Sequence, residues 1–320
     1  MPPIKSAMNY AELPKFRDGL SYLYLEHSKI EQDQHSIAVL SEAGFSSVPA
    51  ASLGVLMLGP GTSITHAAIK ALALNGCSVQ WVGEENARFY ATGTGETRSS
   101  RNLMRQAKCW ANDTTHLEVV QRMYRMRFNE RIDPDLTLEQ LRGHEGVRVR
   151  EAYATASRDS GVPWTGRNYN RGNWSDSDPI NRALSAGAAS MYGICHAGIV
   201  SSGYSPALGF IHTGKQLSFV YDVADLYKAE VLIAPAFAVV AESTEKVETR
   251  IRVALRESFR TSKLLERIVR DLHKLFEGLD DDEFENDSAK PGAIWDVSGE
   301  VEGGINYAND SESLEEEQEP

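Results

Sequence analysis

The sequence is poor in cysteine. Its 320 residues hold three, Cys77, Cys109 and Cys195, widely spaced and without a Cys-x-x-Cys pair. That excludes a disulfide framework and a zinc knuckle, and it points to a reducing, cytoplasmic setting. Uninterrupted apolar runs of the roughly 18 residues that span a bilayer are missing, and MPPIKSAMNY has no apolar signal core. No membrane partner is therefore expected. The dinucleotide fingerprint GxGxxG is also absent. GPGTS at 59–63 lacks the Gly-Lys-Ser/Thr ending of a phosphate loop.

Positive charge is scarce overall, with 33 Lys and Arg against 45 Asp and Glu, a formal net charge of −12. The deficit is local. Residues 275–320 carry 16 acidic side chains and one basic, Lys290, which leaves 29 acids and 32 bases in the preceding 274 residues. A mildly basic body with an acidic tail keeps polyanion binding open.

The body divides by period. GLSYLYLEH (19–27), SIAVLS (36–41), LGVLML (53–58), CSVQWVG (77–83) and ARFYATG (87–93) read as strands around one helix at 64–74. Residues 1–92 are expected to form a β-rich N-terminal domain. Helical patterning then runs over 93–277: Arg98 to Asn129, a helix opened by the capping box Thr137-Leu-Glu-Gln140, one opened by Asp178-Pro179, and Glu245 to Phe276 with a break near 259–263. Pro235 is expected to interrupt the helix before it. Residues 278–320 read as an acidic, largely disordered tail carrying one apolar docking segment, KPGAIWDVSGEV.

The chemistry concentrates in 205–228, SPALGFIHTGKQLSFVYDVADLYK. Ser218 is a good N-cap for a helix from Phe219, and in that helix Asp222, Asp225 and Lys228 share a face. His212 arrives on the turn before it. An imidazole and two carboxylates so placed can hold a divalent metal. They can equally be a core histidine and acids complementing a helix dipole. Glu145 adds a second signal. It interrupts the apolar stripe Leu138, Leu141, Val149, Ala152, Ala156, where an unpaired carboxylate is costly. Its partner is Arg142, Arg148 or a metal, and the flanking Gly143 and Gly146 leave room for close approach.

Several features suit a nucleic acid and also have ordinary readings. Arg98, Arg101, Arg105 and Lys108 line one helix, and Arg256, Arg260 and Lys263 another; both sets can lie along phosphates or form solvated faces. The loop 161–178 interleaves Trp164, Tyr169 and Trp174 with Arg167 and Arg171, which can stack on bases or cap a core. His196 reads as structural.

LRGHEGVRVR with Glu145, TGRNYNRGNW, ASMYG with Tyr192, GFIHTGKQLSFVYDVADLYK, and LGPGTSITHAAIKALALNG followed by VQWVGEENARFYATG carry a family resemblance. Over about residues 15–275 the chain resembles the CRISPR-associated spacer-acquisition integrase, CRISPR-associated protein one, most closely its type I-E branch. The resemblance implies an α+β fold, with a β-sandwich-like N-terminal domain and a larger all-α C-terminal domain. Glu145, His212 and Asp225 match the family's metal ligands for Mg²⁺ or Mn²⁺, and Asp222 its additional catalytic acid. Arg88 matches a backbone-contacting arginine. Tyr169, Trp174 and Tyr192 match aromatics near a DNA fork, and Lys215 and Tyr221 a base-reading pocket. Lys290 and Ile294 fall in a tail segment that closes this pocket, with Lys290 standing where relatives have Gln. His27 replaces an end-stacking Tyr, and Ser63 a basic residue. The implied partners are prespacer and repeat DNA, a second copy of the chain, and a small ferredoxin-like second adaptation protein in a heterohexamer. The expected activity is metal-dependent insertion of 3′-OH ends into a repeat array. A stand-alone nuclease for branched DNA and a non-catalytic DNA-binding scaffold are the alternatives.

Overall fold

The computed structural model describes residues 21–84, 89–95, 100–128, 133, 135–167, 178–279, 294–296 and 299–301. Strands predominate up to Gly93, and the described residues from 101 to 275 form helices and their connections. One sheet runs β1 (Ser21–Leu25), β5 (Leu53–Leu58), β7 (Ser78–Val82), β8 (Phe89–Gly93). The first three are parallel neighbours and β8 closes the edge antiparallel. The second sheet runs β4 (Gly44–Pro49), β3 (Ser36–Ser41), β2 (Lys29–Asp33), β6 (Ser63–Ile64).

The pattern of β5 explains how the strands join the helices. LGVLML is apolar throughout because both its faces are covered. Leu56 and Leu58 enter a small core with Ile30, Ile37, Leu72 and Val79. Val55 and Met57 point the other way, into the large helical core. Helix α1 (His66–Leu74) covers the small core; Thr65 caps it by accepting from the Ala68 amide at 3.3 Å.

Among the strands not foreseen are β2 and β4. β2 is KIEQD, with one buried residue, Ile30, and β4 is GFSSVP, with none. Their ladder hydrogen bonds to β3, rather than apolar side chains, hold them in the sheet.

The helices are α2 (Arg101–Ala111), α3 (Asp113–Met126), α4 (Leu138–Ser160), α5 (Pro179–Ser201), α6 (Ser218–Lys228), α7 (Ala234–Glu242), α8 (Val247–Thr261) and α9 (Leu264–Leu275). The long helix expected over Arg98 to Asn129 is two, because the Asn112 side chain accepts from the Thr114 and Thr115 amides and starts α3 afresh. The Thr137–Gln140 capping box and the Asp178 cap with Pro179 form as expected. Pro235 does not interrupt the chain. Residues Ala229–Ile233 widen into a π-helix that relieves the proline's missing donor and ring clash, and α7 follows directly.

Helix α5 is the axis of this part and packs against α6, α7, α8, α9 and strands β5, β7 and β8. It is long and apolar enough to cross a membrane, yet 78% of its most apolar window is buried inside the protein. Gly187 lets the helices cross closely, since a Cβ there would overlap Leu232 and come within 2.9 Å of Leu255. All three cysteines are buried and none forms a disulfide.

Strands and helices from Lys15 to Asp282 belong to one compact unit. β9 (Ile294–Asp296) and β10 (Gly299–Val301) belong to a second unit and pair antiparallel, Ile294 opposite Val301. The rest of the predicted tail lies outside the described residues.

Candidate active site

The site is built on the loop between α5 and α6. Asp222 sits in the second turn of α6, fully buried, and both its oxygens face back into that loop. Oδ2 accepts from the Phe210 and Ile211 amides at 2.7 and 3.0 Å, and Oδ1 from the His212 amide at 2.9 Å. His212 Nδ1 lies 2.7 Å from the same Oδ1. The carboxylate thus accepts from three backbone amides and also faces the imidazole. It fixes the tautomer with the proton on Nδ1 and leaves Nε2 as the free lone pair. The His212 side chain is 46% exposed, so the ring is reachable from solvent. The hydrogen bond to Asp222 raises the His212 pKa; partial burial and Arg127 oppose it, and Asp225 adds to it.

Ser218 is not the N-cap. It is the first residue of α6, after Leu217, and its hydroxyl instead accepts from the Lys215 amide at 3.0 Å. That bond closes the HTGK turn, where Gly214 takes a φ of 77°. Gly209 is pinned under the same loop: a Cβ there would overlap the His212 carbonyl and stand 2.7 Å from Ser218.

One turn after Asp222, Asp225 faces outward and meets Lys228 Nζ at 3.4 Å. The Tyr192 pKa is pushed up to about 12, first by burial and then by Asp225. Tyr192 packs edge-on against Tyr221 at 5.0 Å, and Tyr221 edge-on against His212 at 5.9 Å. Glu145 on α4 accepts from Arg127 at 3.4 Å and from Arg148 at 3.3 Å. Arg148 was among its expected partners. Arg127, at the end of α3, was not.

His212, Asp225, Asp222, Tyr192, Tyr221 and Lys228 therefore fall in one neighbourhood, to which Arg127 links Glu145. Arg260 does not join them: it pairs with Glu257 at 2.6 Å near the end of α8. Trp164 stacks on Tyr153 at 4.4 Å and lies edge-on to Phe237, a core-capping role. His196 is structural, stacked on Phe89 at 3.6 Å, and burial lowers its pKa to about 4. His27 takes a φ of 49° and packs on Gly61, beside the loop leading to Ser63. Arg88, Arg98, Tyr169, Trp174 and Lys290 lie outside the described residues, and Ile294 is described as backbone only.

Among the described residues, no three His, Cys, Asp or Glu side chains stand close enough to share an ion. The donor chemistry nonetheless fits a divalent cation. An imidazole oriented by a buried carboxylate presents its free nitrogen, a common arrangement behind metal-bound histidine. Asp225 and Glu145 carry hard oxygen donors whose present partners are cationic side chains at 3.3–3.4 Å. Gly143 and Gly146 leave open space beside Glu145, with nothing within 4 Å of a Cβ at either.

A second group of residues escaped the sequence reading because its contacts are long-range. Gln106 exchanges hydrogen bonds with Ser205 and donates to the Leu208 carbonyl at 3.0 Å. Trp110 Nε1 donates to the Gly209 carbonyl at 3.1 Å, and His116 Nε2 lies 3.0 Å from the Phe210 carbonyl. Asn102 donates to the Ser202 carbonyl at 2.7 Å. Asn102, Gln106 and Trp110 recur every fourth residue, so one polar face of α2 holds the loop that carries His212. That spacing was the available signal.

A β-rich region thus leads into a helical region, and the helices carry Glu145, Asp222 and Asp225. Residues 126–266 match the family model for CRISPR associated protein Cas1. The chain is 60% identical over 314 residues to the CRISPR-associated endonuclease Cas1 2 of Thermus thermophilus, covering 97% of each. It is 37% identical over 254 residues to the CRISPR-associated endonuclease Cas1 of Escherichia coli, covering 79% of this chain and 83% of that one. The crystal structure of a TtCas1–DNA complex superposes with a TM-score of 0.74 at 62% identity, over 83% of this chain and all of that one. The chain belongs to the Cas1 family.

Proposed function

We propose that this protein is a divalent-metal-dependent DNA integrase and endonuclease of CRISPR adaptation, of the type I-E branch. It inserts the 3′-OH ends of short prespacer DNA into the repeat array. The carrying observation is the 2.7 Å contact of His212 Nδ1 with fully buried Asp222, beside an Asp225 close enough to raise the His212 pKa. Glu145, His212 and Asp225 are the proposed ligands. Mg²⁺ or Mn²⁺ held by them would supply Lewis-acid polarisation of the scissile phosphate and favour the attacking oxygen as its anion. In transesterification, the prespacer O3′ forms a bond to phosphorus while the bond from phosphorus to the repeat strand's leaving oxygen breaks.

The chain's own residues do the positioning. Asp222, the family's additional catalytic acid by resemblance, is proposed to act through His212, orienting its ring and anchoring the loop. Lys215, Lys228, Tyr192 and Tyr221 flank the site as contacts for phosphate and base, and Arg88, Arg98, Tyr169, Trp174 and Arg260 extend the proposed DNA track. Ile294 and Lys290 are proposed to dock beside it. The proposed assembly is a homodimer working with a small ferredoxin-like second adaptation protein. Hydrolysis of branched DNA is a second reading, favoured by the endonuclease names of the relatives; it uses the same groups with water as nucleophile.

A plasmid integration assay with 3′-OH duplex DNA, with and without the partner, in Mg²⁺, Mn²⁺ or EDTA, tests the proposal. Integration that needs metal and partner is expected. Cleavage without integration would favour the nuclease reading, and binding with no product in any metal would leave only a scaffold.

A further inference from the structure

Arg127 is a buried guanidinium, its side chain only 5% exposed. Nη1 donates to Glu145, and the guanidinium lies 4.9 Å above the Tyr124 ring. Its Nε and Nη2 are buried and have no hydrogen-bond partner. One carboxylate thus compensates a charge that water hardly reaches.

This arrangement conflicts with metal binding. If Glu145 ligates a divalent cation, Arg127 loses its counter-charge and faces a second positive centre. A buried charge without its partner is strongly unfavourable. Arg148, whose side chain is 26% exposed, also donates to Glu145 through Nε and loses the same partner, at a smaller cost. An anion must take over both arginines if the metal is to bind well.

A place for that anion adjoins them. Arg127, Arg148 and Arg267 line one cavity of about 280 Å³, together with Tyr227, Glu230 and Asp271. The two carboxylates in its wall are already engaged. Glu230 is held by both terminal nitrogens of Arg267 at 2.8 and 2.9 Å, and Asp271 accepts from the Tyr227 hydroxyl at 2.9 Å. The arginines that lose Glu145 are therefore the ones left to bind an oxyanion, and their N–H forks suit phosphate.

We propose that this cavity receives a phosphate-class oxyanion and that Arg127 passes from Glu145 to it, so that phosphate and metal bind cooperatively. The inference rests on Glu145 being a metal ligand. It makes the metal site weak in the free protein and strong once DNA, or a free oxyanion, fills the cavity. Linkage requires the effect to be reciprocal.

The test measures Mn²⁺ affinity of the full chain by electron paramagnetic resonance, alone, with sulfate as the oxyanion probe, and with a short DNA duplex. Couplings of this kind are typically about 5- to 150-fold. Wild type should gain at least about fivefold in affinity with either anion. An effect of sulfate alone would assign the cavity to a free oxyanion, and an effect of duplex alone to polymer phosphate. Arg127→Gln should bind Mn²⁺ more tightly than wild type without any anion and lose the enhancement. Equal wild-type affinity in all three conditions overturns the proposal without needing the variant, as does an enhancement that survives Arg127→Gln. Glu145→Gln separates the two levels: Mn²⁺ binding unchanged by it removes the metal-ligand reading itself.

Discussion

Nδ1 of His212 and Oδ1 of Asp222 stand 2.7 Å apart, and the same carboxylate accepts the amides of Phe210, Ile211 and His212. One buried side chain therefore sets both the path of the loop and the tautomer of the imidazole. Asp222→Asn keeps the shape but turns an acceptor into an amide. The His212 titration midpoint, read by NMR, should fall from its raised position toward the ordinary value. Because the folded pKa is the raised one, this pairing stabilises the fold fully below the unfolded pKa and less as pH rises through the folded pKa. The variant should also lose at least about 2 kcal/mol of unfolding stability, since charge-assisted bonds to buried amides are broken. An unshifted midpoint would contradict the assigned role.

Glu145 gives a different expectation from the one its position in an apolar stripe suggests. A metal ligand without other partners would make Glu145→Ala neutral or stabilising in metal-free buffer. Here the carboxylate is the counter-charge of buried Arg127. Glu145→Ala should cost about 3–5 kcal/mol in EDTA, the usual penalty for stranding a buried charge. Adding Arg127→Met should recover most of it. Denaturant melts of the two variants check this, and an equal loss in both would show that the pair is not the cause.

What could be read from the sequence follows the range of the interactions. The Thr137–Gln140 box and the Asp178–Pro179 start were legible because each is closed within three residues. Glu145 was legible as an anomaly, since a carboxylate in an apolar stripe stands out wherever its partner is. Arg127 was not, because it lies on the preceding helix and only packing of α3 on α4 brings it there. The α2 face of Asn102, Gln106 and Trp110 was hidden for the same reason: it binds carbonyls about a hundred residues away. Strands β2 and β4 failed to register because hydrogen bonding to β3, which has no local signature, holds their polar residues in place. Spacing allowed metal ligation by the 205–228 acids only beside a plain helix-dipole reading, and DNA contact only beside solvated faces; the ligand set and the family's partners came from resemblance.

His196 supplies a pH signature. Burial lowers its pKa to about 4, and Gln80 Nε2 lies 3.4 Å from its Nδ1. The unfolded chain, with an ordinary histidine near 6.5, binds more protons than the folded one between these values. Stability must then fall as pH drops from about 6.5 to 4, by about 3 kcal/mol for this residue. Replacing it in His196→Gln should flatten that part of the stability–pH curve. A curve of unchanged slope would mean that other groups govern it.

Gly187 tests the central crossing. A Cβ there would overlap Leu232 and come within 2.9 Å of Leu255, so Gly187→Ala sets overpacking against better helix propensity. Overpacking of a dense core typically costs about 1–3 kcal/mol. A net loss is expected, read as a lower melting temperature, and a stabilised variant would show that the crossing can relax.

Lys228 distinguishes a DNA contact from an internal neutraliser. Its ammonium is 3.4 Å from Asp225 and a third exposed, so it can leave that carboxylate for a phosphate. If it does so in the complex, Lys228→Ala should weaken DNA binding by a similar factor for every sequence and reduce the salt dependence by about one counterion. If it serves only Asp225, the salt dependence of DNA binding should stay as it is while metal affinity changes, because Asp225 would lose a competitor. Affinity measured across a salt series, in EDTA so that metal cannot contribute, separates the two. We expect the reduced slope, because the Lys228 side chain is itself solvent-accessible and its contact with Asp225 is a long one at 3.4 Å.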